Sequence, residues 1–350
     1  MLLRNKNKYV QLGQAGFSLV EILVGLVIGL LATLVIMQVF SVFEGKKRTT
    51  TGTADAQTNG GIALYSIVRD LQPAGFSLLP VDNTALNCAT PTISAQATAA
   101  GVTSLSPVTI TDGGTAPGAS DSITIRYGTS AAAGTPVPIT LMTGADASVD
   151  NNLGCEPGVA IILTGPTTCN VTTATALIGT TGVTLSDTTG AIAGTSLSCL
   201  GRWNEVTYRA NAGNLERDTN ALVTGIVNIQ AQYGISAIAS SNQVVQWVNA
   251  TGTWAAPTTA DRNRIKAVRI AVVARNGLQE KTDVSAACSS LTADAPNGVC
   301  AWSGSSSGTV PPSNAPVIDL SNDANWKRYR YRVFETIIPL RNVIWAKGKL

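Results

Sequence analysis

The 350-residue sequence contains no histidine. A chain without imidazole cannot build a Ser-His-Asp or Cys-His nucleophile, and it lacks the commonest side-chain ligand for metals. Charged residues are scarce at 13%, and aromatic residues make up only 5%. No pair of carboxylates stands in a recognisable catalytic frame. We therefore expect no enzymatic activity, no cofactor and no metal site.

Cysteine is absent from the first 87 residues, and no C-x₂-C pair occurs anywhere, which argues against a zinc site. The six cysteines are Cys88, Cys155, Cys169, Cys199, Cys288 and Cys300. An even number on one side of an apolar segment fits disulfides formed in an oxidising compartment. Six cysteines allow about fifteen pairings. The pairs that sequence spacing favours are Cys288–Cys300, Cys155–Cys169 and, by elimination, Cys88–Cys199.

Proline is absent from residue 17 to residue 72, and Glu21 is the only charged residue between positions 17 and 43. At 1.5 Å per residue, this apolar run is long enough to cross the roughly 30 Å hydrocarbon core of a bilayer. The sequence therefore predicts a transmembrane helix over 17–43. A carboxylate inside such a span is costly without a partner, which makes Glu21 a functional residue by default.

Residues 1–16 form a short polar segment with three bases, and they end at Gly16. A secretory signal peptide places its small residues after the apolar region, whereas Gly16 precedes it. Cleavage between Gly16 and Phe17 would therefore remove 1–16 as a leader and leave the helix on the mature protein. The formal charge of +3 would then fall to about zero.

Beyond the apolar run, the pattern becomes that of an exported β-rich domain. Helical periodicity continues to about residue 72, which predicts an amphipathic continuation over 44–75. Residues 76–350 contain period-two runs typical of antiparallel strands, each with one packed face and one wetter face. The first run places Val206 and Tyr208 on its packed face. The second, 227–233, places Asn228, Gln230 and Gln232 on its wetter face, and the third is 268–275. Residues 81–200, rich in Thr, Ala and Gly, indicate a variable insertion with long loops.

The order Gly16-Phe17-Ser18-Leu19-Val20-Glu21 resembles the processing site of type IV prepilins and pseudopilins. The resemblance implies that a prepilin peptidase cuts after Gly16 and methylates the new amino group of Phe17. It also implies that Glu21 assists assembly by pairing with the N-terminus of a neighbouring subunit. Together with the position of the cysteines, it places the N-terminus inside and the C-terminal body outside the inner membrane.

Four further pieces of the sequence lie at 69–76, 228–234, 268–270 and 331–342. In this order they resemble the PilW family of minor pilins. The resemblance implies a pilin-like α+β fold, in which a long N-terminal helix packs on an antiparallel sheet. It also implies a structural subunit that primes assembly near the filament tip. Its partners would be other minor and major pilins, and its final location the extracellular pilus.

The segment Trp326–Arg332 alternates bases with aromatic residues, as single-stranded nucleic-acid binders do. Period two favours a half-buried strand instead, with Arg328, Arg330 and Arg332 on a solvated face and the tyrosines on the other. Nucleic-acid contact stays open as the alternative.

Two other functions remain open from the sequence. A minor pseudopilin of type II secretion would share the leader and the fold class. A membrane-anchored adhesin or surface enzyme is the second alternative, and the missing histidine disfavours its enzyme form.

Overall fold

The computed structural model describes residues 16–78, 88, 90–165, 169–291, 296–302 and 315–345. Residues 1–15 of the expected leader lie outside these ranges. The chain divides into two units, Met1–Thr51 and Gly52–Leu350.

A single long helix, α1 (Leu19–Leu71), covers 53 residues and contributes to both units. Nothing interrupts it, because no proline is present to remove a backbone donor. It ends just before Pro73, and Gly75 then takes a φ of 77°, a conformation that glycine adopts at little cost. Asn342 donates its side-chain amide to the carbonyls of Pro73 and Ala74 at 3.3 and 3.0 Å. The helix ends at Leu71, one residue before the end that its periodicity predicts and four residues before the end of the expected range 44–75.

The other elements follow in chain order. The described strands are β1 (Thr92–Ile93), β2 (Val108–Thr111), β3 (Ser122–Tyr127), β4 (Val137–Thr143), β5 (Asp146–Val149), β6 (Ala160–Thr164), β7 (Cys169–Ile178), β8 (Gly182–Leu185), β9 (Ser196–Gly201), β10 (Asn204–Asn211), β11 (Asn214–Arg217), β12 (Asn220–Thr224), β13 (Ile226–Ser236), β14 (Val244–Val248), β15 (Ile265–Arg275) and β16 (Tyr331–Pro339). The described short helices are α2 (Ala95–Ala99), α3 (Thr259–Arg262) and α4 (Arg341–Trp345).

An antiparallel sheet in the order β14-β13-β15-β16 supports the helix. The buried stripe of α1 shares one hydrophobic core with this sheet. Its members in that core are Ala56, Ala63, Ile67 and Leu71. Gly60 lies in the same stripe, and a Cβ atom there would overlap the ring of Phe334 on β16. The glycine thus allows the helix to approach the sheet closely.

The prediction of one wetter face on β13 and β15 is wrong. Asn228, Gln230 and Gln232 are between 0% and 6% exposed, and Arg269 is 8% exposed. Their polar atoms are paired internally: the Gln230 amide donates to the Asn228 side chain at 2.9 Å, and Arg269 donates to Gln232. Hydrogen bonding of this kind lets polar side chains be buried at acceptable cost.

A second layer of chain explains this burial. It covers the outer face of the sheet with its own hydrophobic cluster, whose members are Ala271, Val273, Val299, Ala301, Ile318 and Leu320. Residues 299–301 and 318–320 are remote in sequence from β15. Alternation along one strand shows that its two faces differ, but it does not show which other segments of the chain pack on each face.

A five-stranded antiparallel sheet, β12-β11-β10-β3-β2, closes the same core from another side. Val206 and Tyr208 on β10 are buried in that core, as the alternation predicts. Strands β2 and β3 come from the range 81–200. That range is therefore not wholly an insertion, because part of it builds the main body.

Most of the rest of this range forms a closed barrel. Strands β7, β6, β9, β4, β5 and β8 pair in that order, and β8 pairs back to β7, which gives six antiparallel strands without a free edge. Inward-facing residues such as Ile161, Val183 and Leu197 fill it with a separate core. Closure removes the exposed strand edges that an open sheet would present.

Three disulfides join the six cysteines, and their pairing corrects part of the expectation. The structure joins Cys288 to Cys300, as the sequence predicted. The other two bonds are Cys88–Cys169 and Cys155–Cys199, in place of Cys155–Cys169 and Cys88–Cys199.

The physical reason is the strand β6. Cys169 lies opposite Thr164, the last residue of β6, which is about 10 Å along the strand from Ile161 at 3.3 Å per residue. A disulfide requires Cα atoms closer than about 7 Å. Cys199, on β9, lies opposite Ile161 near the start of β6. The Cα atom of Cys199 is 5.1 Å from the Cα atom of Cys155.

The basic C-terminal segment also differs from its prediction. Residues Trp326–Arg328 form a turn of 3₁₀ helix, and the strand begins only at Tyr331. Arg328 and Arg330 are not free in solvent, since both bind the 280–281 segment. Tyr331 packs against the outer cluster of the sheet, as expected. A tight turn followed by a strand breaks the alternation that period two assumes.

Candidate functional site

The N-terminal part of α1 is the most distinctive surface of the chain. The side chains from Gly16 to Arg48 are all exposed, among them nearly every large apolar residue of the predicted span. Among the described residues, α1 is the one helix long and apolar enough to cross a membrane, judged by length and composition. An apolar surface this large must be covered by lipid or by other chains.

Glu21 lies in the first turn of this helix. The helix is nucleated at Ser18, whose carbonyl accepts the amide N–H groups of Glu21 at 3.0 Å and Ile22 at 3.2 Å. The first turn has unpaired N–H groups and a partial positive charge, so an acid is favourably placed there. No described residue forms a salt bridge with Glu21.

Gly16 and Phe17 precede the helix in a stretch without regular structure. Phe17 is 81% exposed. A protease needs an accessible backbone outside regular structure, and Gly16 and Phe17 have both properties. It thus brings Gly16, Phe17 and Glu21 together at one end of one helix.

The other end of α1 is fastened to the body by a buried carboxylate. Asp70 accepts hydrogen bonds from the Tyr208 hydroxyl at 2.8 Å and from the Arg217 guanidinium at 2.9 Å. The Tyr208 hydroxyl also lies 3.2 Å from the Ser66 carbonyl. Burial, and then the adjacent Asp70 carboxylate, raise the pKa of Tyr208 well above its usual range. This cluster ties the helix to β10 and β11.

A second buried carboxylate, Asp121, joins the five-stranded sheet to the four-stranded sheet. It accepts the backbone N–H of Gly113 at 2.9 Å and that of Ala231, on β13, at 2.7 Å. Burial raises its pKa to about 6, although the two backbone hydrogen bonds act in the opposite direction. Asp121 thus satisfies an N–H of β13 where no strand lies alongside.

Sequence reasoning did not assign roles to Asp70, Tyr208, Arg217 or Asp121. One signal for Asp70 was present, because it falls three positions after Ile67 in the apolar stripe of a helix. An acid in a buried stripe requires a partner. The identity of that partner depends on the sheet, which the helix sequence does not encode.

The described residues hold no group of three or more His, Cys, Asp or Glu side chains that could bind a metal. The cysteines are all in disulfides. The aromatic rings near the basic C-terminal segment are engaged within the body: the Tyr331 hydroxyl donates to the Trp326 carbonyl at 2.9 Å, and the Tyr329 ring faces Arg275 at 4.2 Å.

Comparison with protein families gives a match to part of the chain. Residues 201–342 match the family model described as "Type IV Pilus-assembly protein W". No curated protein and no solved structure matches the chain. The matched range contains the four-stranded sheet and strands β10–β12, and it includes three of the four pieces that resemble PilW. The match supports a role for this chain in type IV pilus assembly, and the long apolar helix is compatible with membrane anchoring.

Proposed function

We propose that this chain is a minor pilin, a structural subunit without catalysis that primes type IV pilus assembly near the filament tip. The observation that carries the proposal is the exposed apolar helix with a single acid in its first turn. The match of residues 201–342 to a pilus-assembly family supports it. A pilin-like fold is part of this proposal, and the packing of α1 on an antiparallel sheet supports it.

Maturation is part of this proposal. A prepilin peptidase cuts between Gly16 and Phe17 and methylates the new amino group. The exposed, irregular backbone at this bond supports such processing. The mature chain is held in the inner membrane by residues 17–43, with its body outside, where the disulfides are stable.

Glu21 acts at the next step. A lone carboxylate in hydrocarbon is costly, so it is stabilised by a cation. The amino group of Phe17 on a neighbouring chain supplies one after cleavage. Pairing between chains fixes the axial register, because a slip of one helical turn, about 5.4 Å, would leave both charges in an apolar environment.

The test compares two acids of the same helix. Glu21→Ala removes the proposed register contact, and Glu44→Ala removes the first acid after the apolar run. Each variant is expressed as the only copy, and sheared filaments and membranes are immunoblotted for the chain. We expect both variants in the membrane and cleaved after Gly16, but only Glu44→Ala in filaments at the wild-type ratio.

Glu21→Gln separates charge from hydrogen bonding. It should fail like Glu21→Ala if the ion pair is required, and it should assemble in part if an amide acceptor suffices. Wild-type incorporation of Glu21→Ala would show that Glu21 does not set the register.

The same test does not distinguish a pilus from a secretion filament, and a deletion does. Cells lacking the gene should have fewer surface pili and reduced twitching motility. Normal pili and motility, together with a loss of protein secretion, would favour the pseudopilin alternative.

A further inference from the structure

Two segments, 280–285 and 326–332, form a basic surface on the body that we call the basic edge. Backbone hydrogen bonds hold them together: the N–H of Glu280 donates to the Arg328 carbonyl at 2.8 Å, and the N–H groups of Val284 and Ser285 donate to the Lys327 carbonyl at 2.8 and 2.9 Å. The two segments contain five bases and two acids, which gives a formal charge of +3.

Two of the five bases have structural roles within the basic edge. Arg328 donates to the carbonyls of Glu280 and Lys281, both at 3.0 Å. Arg330 forms a salt bridge of 2.9 Å with the Glu280 carboxylate. The remaining bases, Lys281, Lys327 and Arg332, are exposed, and none has a salt bridge to a described residue.

The basic edge adjoins the beginning of the body. A cavity of about 210 Å³ is lined by Thr53 and Ala56 of α1 together with Ser285, Arg330 and Arg332. In the sequence, the apolar run ends ten residues before Thr53. Ten residues span at most about 36 Å even when fully extended. The basic edge therefore cannot move far from a membrane that holds residues 17–43.

We infer that the basic edge binds the phosphate groups of anionic phospholipids in the membrane that anchors the chain. The inference rests on the proposed membrane anchoring of α1. Each Lys or Arg near an anionic surface strengthens attraction by roughly fivefold. This attraction falls off within about 10 Å at moderate salt, so it acts only while the body lies against the membrane. It would hold the body there until the subunit is drawn into a filament.

Single-stranded nucleic acid is the other polyanion to consider, and the structure favours lipid. Nucleic-acid binders of this kind stack bases on exposed aromatic rings. Tyr329 instead faces the Arg275 guanidinium, and Tyr331 packs on the outer cluster of the sheet and donates its hydroxyl to the Trp326 carbonyl. The Trp326 ring packs against the same cluster, and the Lys327 amine lies 5.8 Å from its centre. Because the aromatic rings of the basic edge are engaged within the body, its cations are better suited to headgroup phosphates than to stacked bases.

The test uses the full-length chain in lipid nanodiscs, with either phosphatidylcholine alone or an equal mixture with phosphatidylglycerol. A water-soluble acylating reagent reports the accessibility of the Lys327 amine, and peptide mass spectrometry gives its rate. We expect acylation to be about fivefold slower in the anionic nanodiscs at low salt. High salt should abolish the difference.

Two double variants test the location. Lys281→Glu with Arg332→Glu should remove the lipid dependence of Lys327 acylation. Arg202→Glu with Arg341→Glu changes the formal charge equally at exposed positions elsewhere and should preserve it. Equal acylation rates of the wild type in both lipids would overturn the inference, whatever the variants do.

The outcomes also separate this inference from the proposed function. A chain that fails to co-elute with nanodiscs would contradict the membrane anchor itself. A chain that co-elutes but shows no lipid dependence would contradict only the basic edge. Protection of Lys327 by single-stranded DNA in neutral nanodiscs, without protection by phosphatidylglycerol, would assign the surface to nucleic acid and refute lipid binding.

Discussion

Replacing Asp70 by alanine should loosen the attachment of α1 to the body. The Asp70 side chain is 8% exposed and accepts from both Tyr208 and Arg217. Its loss leaves two buried or half-buried donors without their acceptor, and such losses cost about 1–3 kcal/mol for each donor.

Two features of the structure reduce that sum. The Arg217 side chain is 36% exposed and can be rehydrated. The Tyr208 hydroxyl has a second acceptor in the Ser66 carbonyl at 3.2 Å. We therefore expect Asp70→Ala to lower the free energy of unfolding by roughly 2–3 kcal/mol, less than the 3–5 kcal/mol typical of a fully buried pair. Tyr208→Phe should cost about 1 kcal/mol, since Asp70 keeps Arg217.

The measurement is urea denaturation of a soluble fragment beginning at Gly52, followed by circular dichroism at the helix band with disulfides intact. The Arg209–Glu216 salt bridge provides the matched control, because it joins the same pair of strands but its arginine side chain is 47% exposed. Arg209→Ala should cause no measurable change. If Asp70→Ala changed the free energy of unfolding as little as Arg209→Ala does, the buried cluster would not be what attaches the helix to the body.

Three further predictions follow from other parts of the chain. Burial raises the pKa of Asp121 to about 6, so Asp121 binds a proton more tightly in the folded protein than in the unfolded chain. The contribution of Asp121 to the free energy of unfolding is therefore full below about pH 4, and it falls by up to about 3 kcal/mol as the pH rises through 6. The difference in unfolding free energy between wild type and Asp121→Asn, measured from pH 4 to 7, should show this step, and a flat difference would contradict it. Non-reducing peptide mapping should find Cys155 joined to Cys199, and a Cys155–Cys169 peptide would show that the barrel register is wrong. Intact mass of membrane-extracted protein should give an N-methylated chain beginning at Phe17, and an uncleaved chain would remove the basis for the prepilin assignment.

The placement of the N-terminal candidate residues could be predicted from the sequence, because it depends on local signals. Helix formation over 19–71 needs only the absence of proline and a continuous run of residues that tolerate helical backbone. Gly16, Phe17 and Glu21 lie within six positions, so no tertiary contact is needed to bring them together. Their proposed roles depend on other chains and stay predictions.

Strand positions in the matched range were also predictable, but what surrounds each strand was not. Alternation in β10 located the buried Val206 and Tyr208 correctly. The same alternation in β13 misassigned Gln230 and Gln232, because the layer that covers them comes from later parts of the chain.

The sequence by itself determined the apolar helix, its end before Pro73 and the shortest disulfide loop, Cys288–Cys300, since each depends on residues close together in the chain. Tertiary structure alone decided the closure of the six-stranded barrel, the other two disulfides and the partners of Asp70. Tyr208 and Arg217 follow Asp70 by 138 and 147 positions. Contacts at such separations depend on strand register across several sheets, and residue spacing along one element does not encode that register.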